Sequence, residues 1–289
     1  MTNVDDLLNI LVLEKINDTV YNGKSKTVGS PIVFGGQVLA QALNAASRTI
    51  KNHRVLHSMH SYFLEAGDLN CPITYNVSIV RDGGSFSVRR VTAHQNDSTI
   101  FILSASFHKK EDGYSHQIEM KTGLKQPEDL LSWTDILNQF GEFLPKGLKS
   151  FFEVKRPIEF KPTEIVNPFE NKDLPPFLDV WFRLKGNVSD LELATKQQIL
   201  TYISDYNILV SALNPHASNA HWGNVQTASL DHSMWYFRDF DFNDWMLFSI
   251  ESPSSSSARG FARGNIFTRD GKLIASVAQE GLMRPRNKK

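Results

Sequence analysis

Only one cysteine, Cys71, occurs in 289 residues, so an internal disulfide is excluded and a reducing compartment fits. Beside Pro72 it reads as a small filler rather than a reactive thiol. Net charge is also lacking. Thirty-one basic residues offset thirty-one acidic ones, which argues against a nucleic-acid binder that would need a basic excess. No apolar run is long enough to span a bilayer. The patch at residues 7–13 is broken by Asn9 and preceded by Asp5 and Asp6, where a secretory signal would carry basic residues, so it reads as a short amphipathic helix. The C-terminal Arg286-Asn287-Lys288-Lys289 is unlike a Ser-Lys-Leu peroxisomal address. There is no Gly-x-Ser-x-Gly nucleophile elbow, Walker-type loop or dinucleotide fingerprint. His57, His60 and His232 lack Cys or Glu partners at zinc-ligand spacing, so neither metal nor cofactor is implied. These absences predict a cytoplasmic globular protein with no nucleic-acid partner and no integral membrane association.

What is present is a pattern stated twice. His57-Ser58-Met59-His60-Ser61-Tyr62-Phe63 is echoed by His232-Ser233-Met234-Trp235-Tyr236-Phe237, with the methionines 175 positions apart. Asp97 and Asp270 lie in turns before apolar strands and are 173 apart. A near-constant offset indicates a duplicated unit. In the first copy, residues 38–46 are rich in Ala and Leu and small or apolar on nearly every side, which predicts a helix buried on most of its circumference. Residues 73–79, 88–93 and 100–107 read as antiparallel strands separated by Asp82-Gly83-Gly84 and Asn96-Asp97 turns. Residues 111–155 lose the pattern and form a connector with a short helix at 130–143. A second unit resumes over 152–160 and 180–184. It continues with one helix over 193–213, stopped by Asn214-Pro215, and strands over 227–237, 245–251, 260–267 and 273–283, with the serines at 254–257 as a loop. The predicted organisation is 1–110, a connector at 111–155, and 156–289. Each unit is α+β, a helix on one face of an antiparallel sheet.

Three polar residues fall on surfaces that should be apolar. Asp205 lies in the second predicted helix among Thr201, Tyr202, Ile208 and Leu209. Gln279 shares a strand face with Leu273, Ala275 and Val277, and Ser229 shares one with Asp231, Ser233 and Trp235. A carboxylate on such a face is costly unless paired or hydrogen-bonded. A carboxylate, a hydroxyl and an amide suit water activation by general base, but a buried Asp can equally brace backbone, and a strand Ser can be filler. Gly35 and Gly36 permit tight packing at the first helix start, where N–H groups could hold an oxyanion. The three histidines are as readily core residues as bases.

The chain resembles the type II acyl-CoA thioesterases, the TesB family of double hot-dog enzymes. The resemblance rests on Val33-Phe34-Gly35-Gly36-Gln37-Val38, the 57–63 segment with Gly67-Asp68, Arg81-Asp82-Gly83-Gly84-Ser85-Phe86-Ser87, and Arg89-Arg90-Val91. In the second half it rests on Ser204-Asp205-Tyr206-Asn207, Ser229-Leu230-Asp231-His232-Ser233-Met234-Trp235, Ala258-Arg259-Gly260, and Gln279-Glu280-Gly281-Leu282-Met283-Arg284. It implies a double hot-dog fold, a homo-oligomer (dimer or tetramer), and hydrolysis of an acyl-CoA substrate by a water held by Asp205, Ser229 and Gln279. Ser229 stands where bacterial enzymes often have Thr. Gly35, Gly36 and His57 are candidate substrate-binding residues, with Arg89, Arg90, Arg259 and Arg263 candidates for CoA phosphates. Two rivals follow from the same residues. A hot-dog enoyl-CoA hydratase would need Pro and His where Ile208 and Val210 stand. A non-catalytic acyl-CoA sensor would not need the trio.

Overall fold

A computed structural model describes residues 1–51, 53–165, 170, 172–220 and 224–286; residues 287–289, part of the C-terminal reading, lie outside these. The first unit comprises α1 (Val4–Leu11), β1 (Leu13–Lys15), β2 (Val20–Gly23), α2 (Gly35–Arg48), β3 (Val55–Phe63), β4 (Ile73–Asp82), β5 (Phe86–Gln95) and β6 (Ser98–His108). The connecting segment carries α3 (Trp133–Phe140) and α4 (Lys146–Glu153). Then follow β7 (Ile158–Pro162), β8 (Phe177–Leu184), α5 (Leu193–Ser204), α6 (Val210–Leu213), β9 (Val225–Ser229), β10 (Asp231–Tyr236), β11 (Met246–Ser256), β12 (Arg259–Thr268) and β13 (Leu273–Pro285).

The strands join in one antiparallel sheet, ordered β1-β2-β4-β5-β6-β3-β10-β13-β12-β11-β8-β7, with β9 also on β13. The two halves meet at β3 and β10. There Met59 and Met234, the repeated methionines, face each other in register, and both are fully buried. The echo in the sequence is thus a local two-fold axis. The sheet wraps two side-by-side helices. Along α2, Leu39, Ala40, Ala42, Ala45 and Ala46 have no exposed surface, and Asn44 donates to Gln198 of α5 at 2.9 Å. Small side chains let the helices approach each other and the sheet. This is the α+β double hot-dog.

Several predicted elements differ. The helix expected over 193–213 breaks after Ser204: Asp205 is its C-cap, Asn207 takes φ +67°, and α6 starts at Val210. The strand expected over 227–237 breaks at Leu230. Ser229 pairs with Gly281 while Ser233 pairs with Ala278, so one extra residue is inserted, and the inward parity changes. The serines of 254–256 continue β11 and pair with β12; only Ser257-Ala258 form the turn. Phe152, expected in a strand, belongs to α4, while β1 and β2 were not anticipated.

Candidate active site

The antiparallel packing of α2 and α5 brings the first turn of one against the last turn of the other. Asp205 sits at that junction. Its Oδ2 accepts the Gly36 N–H at 2.8 Å, and its Oδ1 accepts the Ser229 hydroxyl at 3.2 Å. Gln279 Nε2 donates to Ser229 Oγ at 3.0 Å. The structure therefore brings Asp205, Ser229 and Gln279 together from a helix end, a bulged strand and the long strand β13. The change of parity at Leu230 matters here. It turns Ser229 inward, away from the face carrying Ser233 and Trp235, where uninterrupted alternation had placed it.

Burial pushes the Asp205 carboxyl up to about 6, against the opposing effect of hydrogen bonds from Ser229, Gly36 and Gln279. The C-terminal end of α5 also disfavours a negative charge, while the N-terminal end of α2 supports it. Asp205 and Ser229 keep some solvent contact, and Gln279 is buried. This leaves a carboxylate that is ionised near neutrality yet basic enough to take a proton from water. An aromatic series extends from the junction. Phe34 contacts Tyr202 and Tyr206 at centroid distances of 5.2 and 4.5 Å, Tyr206 meets Phe160 at 5.4 Å, and Phe160 meets Trp133 of α3 at 4.5 Å. Burial pushes the Tyr206 phenol up to about 12, so this wall stays neutral.

The two glycines serve the carboxylate. A Cβ on Gly35 would lie 2.7 Å from Asp205 Oδ2, and one on Gly36 would lie 2.5 Å from the Tyr202 carbonyl. The Gly36 N–H, considered above as an oxyanion donor, is directed at Asp205 instead.

Other sequence candidates lie elsewhere. His57 is on the outer sheet face, 2.8 Å from Ser106 Oγ and edge-on to Phe86, because a bulge between Leu56 and Ser58 displaces it from the inward row. Arg89 has no exposed surface. Its guanidinium binds Asp82 at 2.9 Å, the Thr49 hydroxyl at 2.8 Å, and the main chain of Thr49, Arg81 and Val88, so it braces the α2 C-terminus rather than waiting for a phosphate. Arg90 points outward and is exposed. Arg259 pairs with Glu280 at 2.9 Å and Arg263 with Glu251 at 2.6 Å on the outer face.

Sequence reasoning passed over His232 as a site residue. It is fully buried, with Nδ1 2.5 Å from Gln279 Oε1 and Nε2 2.9 Å from Ser204 Oγ. Alternation within β10 sets it on the inward row with Met234 and Tyr236, and the bulge at Leu230 brings Ser229 to the same side. Among the described residues no cluster of His, Cys, Asp and Glu could hold a metal ion.

Comparison with known proteins bears on this geometry. Family profiles described as "Acyl-CoA thioesterase N-terminal domain" and "Acyl-CoA thioesterase" match residues 23–108 and 148–282. Acyl-CoA thioesterase 2 of Haemophilus influenzae is 40% identical over 281 residues, covering 97% of this chain and 98% of that protein. The chain belongs to the acyl-CoA thioesterase family. Another relative within it, acyl-coenzyme A thioesterase 8 of Mus musculus, is 37% identical over 96% of this chain and 88% of its own length. The solved structure of acyl-CoA thioesterase II TesB2 from Mycobacterium marinum superposes with a TM-score of 0.78 at 34% identity, covering 98% and 99% of the two chains. These thioesterase comparisons extend over both halves of the sheet, including the α2–α5 junction.

Proposed function

We propose that this protein hydrolyses acyl-CoA thioesters to a free carboxylic acid and CoA, and that Asp205, Ser229 and Gln279 perform the chemistry. The observation that carries this reading is the joined carboxylate, hydroxyl and amide at the α2–α5 junction, in a member of a thioesterase family. A water bound at Asp205 attacks the thioester carbonyl carbon. Asp205 takes the water's proton, the tetrahedral intermediate collapses, the C–S bond breaks, and the CoA thiolate leaves and is protonated. Ser229 and Gln279 fix the carboxylate and the water. A general base of this kind contributes on the order of 10²–10⁴-fold. The aromatic series from Phe34 to Trp133 offers apolar surface for an acyl chain beside the reacting carbon.

The rivals fare worse. A hydratase of the hot-dog type requires an imidazole that Val210 cannot supply, and Ile208 is buried where that motif carries Pro. A sensor would have no use for a buried, proton-accepting carboxylate. The single Cys71 is unpaired, consistent with a cytoplasmic enzyme, and no helix among the described residues is long and apolar enough to cross a membrane. We expect a dimer or larger assembly, the state anticipated from the family resemblance.

The test is release of CoA thiol, followed with a chromogenic thiol reagent across acyl-CoA esters from short to long. The wild type releases thiol, and Asp205→Asn loses at least about 10²-fold in kcat with its far-UV spectrum intact. Undiminished turnover in the variant would remove Asp205 from its role, and no thiol release by the wild type on any ester would return the sensor reading.

A further inference from the structure

We propose that His232 is a positioning residue: as a neutral imidazole carrying its proton on Nδ1, it locks the Gln279 side-chain amide in the one orientation that leaves the Ser229 hydroxyl proton on Asp205. This rests on the thioesterase reading and adds a residue to it.

Gln279 Nε2 donates to Ser229 Oγ at 3.0 Å, so Oε1 must face the other way, and there it meets His232 Nδ1 at 2.5 Å. A carbonyl oxygen cannot donate, so Nδ1 carries the hydrogen. Burial holds the imidazole down to about 4, so it is neutral in the working range and its Nε2 bears a lone pair. Ser204 Oγ lies 2.9 Å from that lone pair and 2.8 Å from the Thr201 carbonyl, two acceptors for its one proton. From the ring onward donation runs one way: His232 to Gln279, Gln279 to Ser229, Ser229 to Asp205.

Reversing the amide breaks this order. Oε1 would face Ser229, whose one proton would then have two competing acceptors, Gln279 Oε1 and Asp205 Oδ1. Asp205 would lose a stabilising hydrogen bond and the water its fixed partner. An imidazole donor at Nδ1 prevents the reversal. The other groups facing this chain are the phenols of Tyr202 and Tyr206, raised and neutral, with the Arg156 guanidinium beyond Tyr206. None of them contributes a proton to Gln279.

The experiment compares His232→Leu, which removes the donor, with His232→Asn, whose amide N–H can replace Nδ1–H. His232→Leu is expected to lower kcat by about 10–100-fold with KM changed less than about threefold, and to move the acidic limb of the kcat/KM profile upward by about half a pH unit or more. His232→Asn is expected to recover kcat to within about fivefold of wild type and to restore the limb. Equal losses in the two variants, or a loss in His232→Leu with an unmoved limb, would assign His232 to packing alone and overturn the proposal. A measurement on the unmutated protein guards against misfolding of the variants. Long-range ¹H–¹⁵N spectra should give His232 a protonated Nδ1 and an unprotonated Nε2; the opposite tautomer overturns the proposal whatever the variants do. That spectrum does not depend on turnover. If the wild type cleaved no acyl-CoA, the catalytic reading would fail, and with it the positioning role, while the tautomer assignment would stand as a structural fact.

Discussion

Asp205 is where function and stability oppose each other. Its carboxyl is pushed up from an ordinary 3.8 to about 6, so between those values the folded protein binds a proton that the unfolded chain has released. Stability contributed by the protonated form is therefore present below about 4 and lost as pH rises through about 6. After discounting for partial solvent contact, the cost at neutral pH is on the order of 2 kcal/mol. Asp205→Asn should consequently melt higher than wild type at pH 8, with the advantage shrinking at pH 4. Wild-type kcat/KM should rise through an acidic limb near pH 6 as the base ionises. A variant melting lower at pH 8 and unchanged at pH 4 would show that the carboxylate is stabilised by its donors rather than strained by burial. Asp205 and Gln279 stood out in the sequence because a carboxylate and an amide on apolar faces demand a reason, whereas alternation set Ser229 on the wrong face. His232 was not, since alternation with Met234 sets it inward but an inward histidine is as readily a core residue as a functional one.

At the level of elements, errors in reading the sequence cluster where regular periodicity is interrupted. The long strands were legible from alternation, and α2 from its run of Ala and Leu. The bulge at Leu230, the end of α5 at Ser204 and the left-handed Asn207 have no strong local signature, yet together they aim Ser229 and Asp205 at one another. A tertiary demand, joining two units at one site, overrides local preference there. The β11–β12 hairpin shows a similar override without a functional excuse. Ser256 pairs with Arg259, so Ser257 and Ala258 alone close the turn, at φ +49° and +59°. Two-residue hairpin loops of this form favour Asn-Gly because a Cβ costs roughly 1–2 kcal/mol in the left-handed region. Ala258→Gly, less the chain entropy that glycine adds, should stabilise by about 1 kcal/mol and raise Tm by about 2 °C while leaving kcat unchanged. A calorimetric melt decides it; a lower Tm would mean the Ala258 methyl contributes packing that outweighs its backbone strain.

Across the whole molecule, the duplication has been kept for architecture and lost for chemistry. The opposite end of the helix pair is built of the same parts. Thr49 caps α2 as Asp205 caps α5, and Leu56 pairs with Phe107 one inward rung from Met59, where His232 contacts Gln279 one inward rung from Met234. At that end Thr49 and Phe107 stand where the other has Asp205 and Gln279, and Arg89 occupies the Thr49 hydroxyl. The surviving site is completed across the units. Gly36 supplies an N–H and Gly35 the clearance, while Asp205, Ser229 and Gln279 come from the other half. We therefore predict that neither half works alone. Residues 1–110 expressed separately would expose β3 as an unpaired edge and uncover the α2 surface that α5 covers, and a long bare edge invites association. This fragment should elute as aggregate or oligomer and melt without cooperativity. Residues 111–289 should release no thiol from acyl-CoA, and co-expression of the two should restore activity, because the β3–β10 ladder and the helix contact can re-form between separate chains. Gel filtration and the thiol assay on each fragment and on the pair measure this. If 111–289 alone turned over near the wild-type rate, Gly36 would not be needed to hold Asp205, and the site would belong to a single hot-dog.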